Sequence, residues 1–283
     1  LLRDENRDII ETPSQMFRRV AKTISESDKL YGATEDDVKQ TEEKFYQIMA
    51  NLEFIPNAPT LFNAGTELGQ LSACFVLPVE DSIEGIFDAL KYQAIIHKSG
   101  GGTGFSFSRL RPKGDLVKST KGVSSGPIGF MRIFNAATAE VKQGGKRRGA
   151  NMGILRVDHP DILDFVVLKE REGMLDNFNL SIAVTDKFIK AVMNNEDYEL
   201  VSPRTKKVAG QMNARAVWNL IATLAWKTGD PGIIFIDRVN STFSNPVPSL
   251  GPVESTNPCG EQPLYPFDSC NLGSINLTRM IKE

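Results

Sequence analysis

Residues 73–107 read ACFVLPVEDSIEGIFDALKYQAIIHKSGGGTGFSF, and they hold the alternation that decides the fold class. The apolar run Ala73–Pro78 predicts a strand, Ile83–Lys98 predicts a helix, and Gly104–Phe107 predicts a second strand. The same order of elements continues along the chain. Because strands that alternate with helices are typical of α/β architecture, the sequence indicates an α/β fold.

The remaining predicted elements follow the same pattern. Strands are predicted at Ala150–Arg156, Leu180–Val184 and Ile233–Ile236. Helices are predicted at Ile128–Lys142, Pro160–Lys169, Asp186–Asn194 and Ala214–Thr228. A short polar hairpin is predicted within residues 194–207.

The first 56 residues predict a helical domain instead. Thr12 is followed by proline and, three residues on, by Gln15, which is the pattern of a helix start. Thr34 with Asp37 repeats that pattern. We therefore expect two domains, a helical one at 1–56 and an α/β one at 57–283.

Composition limits the class of protein. The chain has 283 residues, of which 41% are apolar and 24% charged, and its net charge is −2. These values are typical of a globular protein, and no basic field is present to attract nucleic acid. The apolar runs are too short for a membrane span, and the N-terminus LLRDENRDII does not resemble a signal peptide. We expect a cytoplasmic protein with no nucleic-acid or membrane partner.

Two glycine-rich segments, Ser99–Gly104 and Gly144–Gly149, lie between a predicted helix and the following strand. Their backbone N–H groups are able to form anion-binding nests, and Lys146, Arg147 and Arg148 add positive charge to the second. Neither segment fits the dinucleotide fingerprint or the P-loop. An ordinary connection and a phosphate-binding loop both remain open.

The chain has three cysteines, too few for a disulfide scaffold. Cys259 lies in Asn257-Pro258-Cys259-Gly260-Glu261, where proline and glycine predict a loop. Cys270 follows eleven residues later, and Cys74 lies on a predicted strand. A buried structural thiol explains Cys74 well and Cys259 poorly. We expect no metal site, because the chain has no CxxC motif and no cluster of histidines.

Several motifs together carry a family resemblance. NAPTLFNAG, LSACF, SGGGTGFSFSRLRPKG, QGGKRRGAN, NPCGE and SCNLGSINL occur in this order over nearly the whole chain. The chain thus resembles the catalytic subunit of ribonucleotide reductase, and most closely the dimeric class II enzymes that use adenosylcobalamin. The resemblance implies a helical domain followed by the first half of a ten-stranded α/β barrel. A finger loop inside that barrel would carry the radical cysteine.

The resemblance also implies roles for individual residues. Cys259 would carry a thiyl radical, formed with adenosylcobalamin, that removes the 3′ hydrogen of the substrate ribose. Glu261 would be the general base, and Asn257 would hydrogen-bond the ribose hydroxyls. Cys74 and Cys270 would reduce the intermediate and become a disulfide.

Substrate and effector positions carry over in the same way. The substrate-binding positions would be Thr60, Ser72, Ala73 and Gly102. The effector-binding positions would be Asp81, Ser82, Arg111, Lys118, Gln143, Lys146, Arg147 and Arg148. The implied ligands are a ribonucleoside diphosphate or triphosphate as substrate and a deoxynucleoside triphosphate or ATP as effector.

Further partners follow from the resemblance. Helices Ile83–Lys98 and Ile128–Lys142 would form a homodimer interface, and a thioredoxin-like protein would reduce the disulfide. Since a family member is roughly twice this length, we expect the second half of the barrel on another chain or missing, and this chain alone to be inactive.

Other readings remain. A class I catalytic subunit would receive its radical from a separate metal-containing subunit. A non-catalytic regulatory module would keep the effector loops and use Cys259 structurally. The glycyl-radical class is disfavoured because it does without the reducing pair. A nicotinamide-dependent dehydrogenase is disfavoured because no fingerprint loop follows a strand.

Overall fold

A computed structural model describes residues 1–117, 121–143, 147–171, 173–241 and 243–281 of the chain. The chain forms two compact units. One, the helical unit, contains Leu1–Ala73 and Ser269–Glu283, and the other, the sheet unit, contains Cys74–Asp268. The expected domain division at residues 56 and 57 stays a prediction.

The helical unit contains three α-helices within the described residues: α1 Pro13–Ser25, α2 Glu35–Ala50 and α3 Ala58–Asn63. The two predicted helix starts are confirmed, because Thr12 and Thr34 each form a capping box with the residue three positions on. A small core of Val20, Ala21 and Met49 is buried among the helices. Two short strands, Phe54–Pro56 and Gly273–Ile275, pair antiparallel in the same unit.

The sheet unit has five parallel strands in the order β1-β2-β3-β4-β5. Their bounds are β1 Cys74–Pro78, β2 Gly102–Ser106, β3 Asn151–Arg156, β4 Phe178–Val184 and β5 Gly232–Phe235. Because each strand pairs with the next one along the chain, the sheet grows in a single direction, as half of an α/β barrel does. The predicted α/β fold class with a helical N-terminal part is confirmed.

Six further helices follow or connect these strands in the described part of the sheet unit. They are α4 Ile83–Ser99, α5 Gly126–Glu140, α6 Ile162–Val166, α7 Asp186–Asn194, α8 Ala214–Thr228 and α9 Ile236–Ser241. The main core lies on one face of the sheet, where Phe105 of β2 and Phe107, just after it, pack edge-to-face on Phe134 of α5. The opposite face of the sheet is contacted by the loop that contains Cys259.

Two predicted elements were wrong in their extent. The helix predicted at Pro160–Lys169 ends at Val166 and is followed by a 3₁₀ turn at Leu168–Glu170. Ile162, Phe165 and Val166 share one helical face, but buried Leu168 does not fall on that face, so the chain tightens to bury it. The hairpin predicted within 194–207 instead pairs Asp197–Val201 with Val208–Asn213.

None of the helices in the described ranges combines the length and the apolar character that crossing a bilayer takes.

Candidate functional site

One face of the sheet presents small and polar side chains. The strand register places Gly104 of β2, Met152 of β3 and Asn179 of β4 side by side in one row. On β1, Val76 pairs with Gly104, and Cys74 pairs with Gly102. Residues two apart on a strand share a face. Cys74, Gly102, Gly104, Met152 and Asn179 therefore face the same side of the sheet.

A loop that carries Cys259 lies on this face. At the base of the loop, Ser255–Thr256 pairs antiparallel with Pro263–Leu264. At its tip the Gly260 N–H donates to the Asn257 carbonyl at 3.1 Å, which closes a turn with Pro258 second and Cys259 third. Gly260 has a φ of +86°, a left-handed conformation that glycine adopts at little cost. Cys259 is exposed at the tip of this turn.

The glycines of β2 allow the loop to approach closely. A Cβ atom on Gly104 would overlap the Thr256 carbonyl oxygen, and one on Gly102 would lie 2.6 Å from Pro258 Cγ. Both positions therefore require glycine for the loop to be seated as it is. Gly102 was predicted as a substrate contact, and that role stays a prediction. The contact that the structure gives it is with the loop.

Asn257 joins the loop to the first strand of the sheet. Its side chain is fully buried. Its Oδ1 accepts from the Gln262 N–H at 3.0 Å, and its Nδ2 donates to Cys74 Sγ at 3.5 Å. The structure therefore brings together Asn257 and Cys74, two residues that are 183 positions apart in sequence. Cys74 is nearly buried, with 7% of its surface exposed.

Glu261 follows the turn and is exposed. Cys270 belongs to the helical unit, where its carbonyl accepts from the Ala73 N–H at 2.9 Å. In the same unit Ser72 Oγ lies 3.3 Å from Ser269 Oγ. Thr60 is buried and donates its N–H to Asn57 Oδ1 and its hydroxyl to the Leu71 carbonyl, both at 3.0 Å. The predicted substrate residues Thr60, Ser72 and Ala73 thus share one unit with Cys270.

The predicted effector residues form a second group. Arg111 Nε donates to both carboxylate oxygens of Asp81, at 2.9 and 3.1 Å, and the Arg111 N–H donates to the same carboxylate at 3.1 Å. Ser82 caps α4 by accepting from the Gly85 N–H at 3.0 Å. The backbones of Lys142–Gln143 and Arg147–Arg148 pair antiparallel. Lys118 and Lys146 lie outside the described residues.

Comparison of the sequence with models of known protein families gives two matches, which together span nearly the whole chain. A family model for the barrel domain of ribonucleotide reductase matches residues 72–283. A second, for the all-alpha domain of ribonucleotide reductase, matches residues 1–69.

This chain belongs to the ribonucleotide reductase family.

Individual relatives agree with that assignment. A vitamin B12-dependent ribonucleoside-diphosphate reductase of Thermoplasma acidophilum is 50% identical over an alignment covering 100% of this chain and 44% of the relative. A protein of the same name from Mycobacterium tuberculosis is 47% identical, with 100% and 40% covered. The ribonucleoside-diphosphate reductase large subunit of Arabidopsis thaliana is 33% identical, with 97% and 36% covered. The chain thus spans less than half the length of these curated relatives.

A charged cavity of about 780 Å³ adjoins Asp81. It lies at the carboxyl ends of the parallel strands, a common position for ligands in α/β folds. Arg109 donates to Glu254 at 2.8 Å on its wall, and Arg156 binds Asp158 through two nitrogens at 2.9 and 2.6 Å. The hydrogen bond to Asp158 raises the pKa of Arg156, which keeps this guanidinium charged. The cavity was not predicted from sequence, because its walls come from segments far apart in the chain, between Glu80 and Glu254.

The two histidines of the chain, His97 and His159, are buried. Burial lowers the pKa of His97 to about 4, and its Nε2 lies 3.0 Å from Thr103 Oγ1. Burial also lowers the pKa of His159, whose Nε2 lies 2.9 Å from the Leu110 carbonyl. Among the described residues, no group of three His, Cys, Asp or Glu side chains is placed to hold a metal ion.

Sequence reasoning missed two contacts of the Cys259 loop. Asn179 Nδ2 donates to the Pro258 carbonyl at 2.7 Å. Met152 supports the other side of the turn, since its Cε would lie 3.6 Å from a Cβ on Gly260. The available signal was weak: asparagine is depleted in strands, yet Asn179 interrupts the apolar run FNLSIAV.

Proposed function

We propose that this chain carries the radical thiol and the reducing thiols of an adenosylcobalamin-dependent ribonucleotide reductase. The observation that carries the proposal is the exposed Cys259 at the tip of a turn seated on Gly102 and Gly104, with Cys74 next to Asn257 beneath it. The relatives named as vitamin B12-dependent are also more similar to this chain than the plant large subunit is. That difference supports class II over class I.

The Cys259 thiol begins the proposed reaction. As a radical it takes the 3′ hydrogen atom of the substrate ribose and becomes a thiol again. Glu261 accepts the proton of the 3′-hydroxyl, and the 2′-hydroxyl leaves as water with a proton from one of the reducing thiols. The exposure of Cys259 and Glu261, two residues apart, supports their facing one substrate.

Cys74 and Cys270 supply the two electrons that the intermediate needs. Their two thiols give up two hydrogen atoms and become one disulfide, so a ribonucleotide and two thiols yield a deoxyribonucleotide, a disulfide and water. The disulfide is then returned to thiols by exchange with a thioredoxin-like dithiol protein. In the last step the Cys259 thiol returns the hydrogen atom to the 3′ carbon and becomes a thiyl radical again.

Adenosylcobalamin, when bound, supplies the radical that takes the hydrogen atom of the Cys259 thiol. The residues of this chain fit that role, because an exposed turn lets a group as large as a corrin approach the sulfur without displacing the loop.

The effector proposal rests on the second group of residues. Asp81 would hold the ribose hydroxyl of a deoxynucleoside triphosphate or ATP, and Arg111 would hold its phosphates, together with Lys118. Ser82 would contact the ribose from the start of α4. Coupling between the effector and the substrate base would depend on Gln143, Lys146, Arg147 and Arg148. A cavity of about 780 Å³ beside Asp81 is large enough for a nucleotide.

The homodimer proposal rests on exposed apolar side chains of α4 and α5. Ile83, Phe87 and Ile95 recur at multiples of four along α4 and are about half exposed, and Ile133 of α5 is 40% exposed. Such a stripe is typical of a helix that packs on a partner. We further propose that the remaining half of the barrel comes from additional polypeptide. A cytoplasmic location stays a prediction.

The test uses a reductase of the relatives' full length that contains this chain, with a substrate that carries tritium at the 3′ carbon. Cys259→Ser should abolish both tritium release and deoxynucleotide formation. Cys74→Ser should abolish product formation by turnover but retain tritium release, because only the reducing step is lost. Both variants should bind dATP within about twofold of the parent, since neither residue is in the effector group.

Two results would contradict the proposal. If Cys259→Ser turns over like the parent, Cys259 is structural and the chain is a regulatory nucleotide-binding module. If activity requires a metal-containing radical subunit and ignores adenosylcobalamin, the enzyme belongs to class I.

A further inference from the structure

We infer that Asn179 is a positioning residue for the Cys259 thiol. It lies on β4, in the row of the sheet that also contains Gly104 and Met152. Its side-chain Nδ2 donates to the Pro258 carbonyl oxygen at 2.7 Å. That carbonyl belongs to the peptide bond that immediately precedes Cys259. The role as a radical thiol rests on the proposed function, whereas the positioning of the turn does not.

The choice of that carbonyl matters because of proline geometry. The ring of Pro258 fixes its φ angle near −65°, so its ψ angle is the main remaining freedom that aims Cys259. Rotation about that ψ angle moves the Pro258 carbonyl oxygen and the Cys259 backbone together. A hydrogen bond that holds the oxygen therefore holds the direction of the cysteine as well.

Two other contacts of the turn act by packing. The Pro258 ring lies over Gly102, and Gly260 lies over Met152, so both flanks of the turn rest on the sheet by packing. Packing resists motion toward the sheet but does little to stop the peptide between them from rotating. A charge-neutral hydrogen bond from a neighbouring strand supplies that directional restraint.

The placement of an asparagine here also favours a specific role. Asparagine is unfavourable within strands, and Asn179 is exposed at a position where a β-branched residue would suit the strand better. Asn179 has poor strand propensity, yet it donates a hydrogen bond to the Cys259 loop. Residues that break a local preference in this way are expected at functional sites.

The test compares three substitutions in the 283-residue chain. Asn179→Asp keeps the shape but replaces the donor by an acceptor that repels the Pro258 carbonyl. Asn179→Gln keeps the donor on a side chain one methylene longer. Asn219→Asp is the matched control, because Asn219 is exposed on α8 and accepts a hydrogen bond from Thr223 Oγ1 through its backbone carbonyl.

Hydrogen exchange of the Gly260 and Gln262 amides gives the first measurement, because their N–H groups close the turn. We expect exchange to be about 10-fold faster in Asn179→Asp, within about threefold of the parent in Asn179→Gln, and unchanged in the Asn219→Asp control. Amides of β3 and β4 should keep their exchange rates in all three variants.

A nitroxide attached to Cys259, in a Cys270→Ser background, gives the second measurement. Its electron paramagnetic resonance lines should narrow in Asn179→Asp and broaden again in Asn179→Gln. Unchanged turn exchange and line width in Asn179→Asp would overturn the inference. So would an equal loosening of β3 and β4, since Asn179 would then support the sheet and not the turn. These readouts need no turnover, so a wrong radical assignment would leave them unaffected.

Discussion

Replacing Gly104 by alanine should drive the Cys259 loop away from the sheet. An added Cβ would overlap the Thr256 carbonyl oxygen and lie 2.9 Å from its carbonyl carbon. Non-bonded heavy atoms of this kind prefer separations of about 3.5 Å or more. A backbone carbonyl also cannot swing aside as a long side chain does. The backbone at Thr256 therefore has to move by about 1.5 Å or more relative to β2.

That displacement sets the expected magnitudes. Overpacking of this type costs about 1–3 kcal/mol in the free energy of unfolding. For a chain of this size each kcal/mol lowers Tm by about 2–4 °C, so we expect a fall of about 2–12 °C. A misplacement of about 1 Å at a reacting group costs about 100-fold in rate. Turnover of the complete reductase should fall by about that factor, while the KM for substrate changes little.

Two further glycine substitutions calibrate the assay. Gly210→Ala is the control, because the nearest heavy atom outside its own neighbourhood is Leu200 Cδ1 at 3.8 Å. Gly102→Ala should be intermediate, since the atom it meets at 2.6 Å is the edge of the Pro258 ring. Tm is measured by calorimetry on the chain, and kcat on the complete reductase. If Gly104→Ala matched Gly210→Ala in both, the seating of the loop on β2 would be refuted.

Three other predictions concern separate parts of the molecule. His97 and His159 are neutral when folded and protonate more readily when unfolded, so the free energy of unfolding should fall as pH drops below 6.5. The fall continues toward pH 4, by about 3 kcal/mol for His97, and urea titrations at several pH values measure it. Thr12→Ala should remove about 1 kcal/mol of stability through loss of the α1 cap, again measured in urea. Asp81→Asn should raise the dATP dissociation constant about 10-fold in calorimetric titrations, while Tm changes by less than about 2 °C because the Arg111 ion pair is partly exposed.

Local sequence signals were sufficient for most of the fold. The observed bounds of α7 and α8 equal the predicted ones, and each sheet strand lies within two residues of its predicted position. These elements combine a clear hydrophobic period with caps such as Thr185 and Asn213. The strand Val208–Asn213 was missed because its sequence, VAGQMN, has no regular alternation of apolar and polar residues, and none of its residues is buried.

The candidate site was predictable only in part. The NPCGE motif predicted the loop and the residues it carries, because proline and glycine mark a turn. The contact of Asn257 with Cys74 depends on how the loop lies across the sheet, and no local pattern encodes a contact across 183 residues. The contact of Asn179 with Pro258 depends on the same placement.

The segment Ser99–Gly104 shows why composition alone left two readings open. A phosphate-binding nest and a close backbone approach both require glycine. The structure accounts for each glycine by its backbone conformation or by its packing. Gly100 ends α4 in a left-handed conformation, with φ of +94°. A Cβ on Gly101 would lie 2.7 Å from Ile96 Cγ2, while Gly102 and Gly104 face the Cys259 loop. Since each of these glycines is already required by its backbone conformation or by a protein contact, the segment needs no phosphate to account for its composition. Its sequence is a consequence of the loop that it supports.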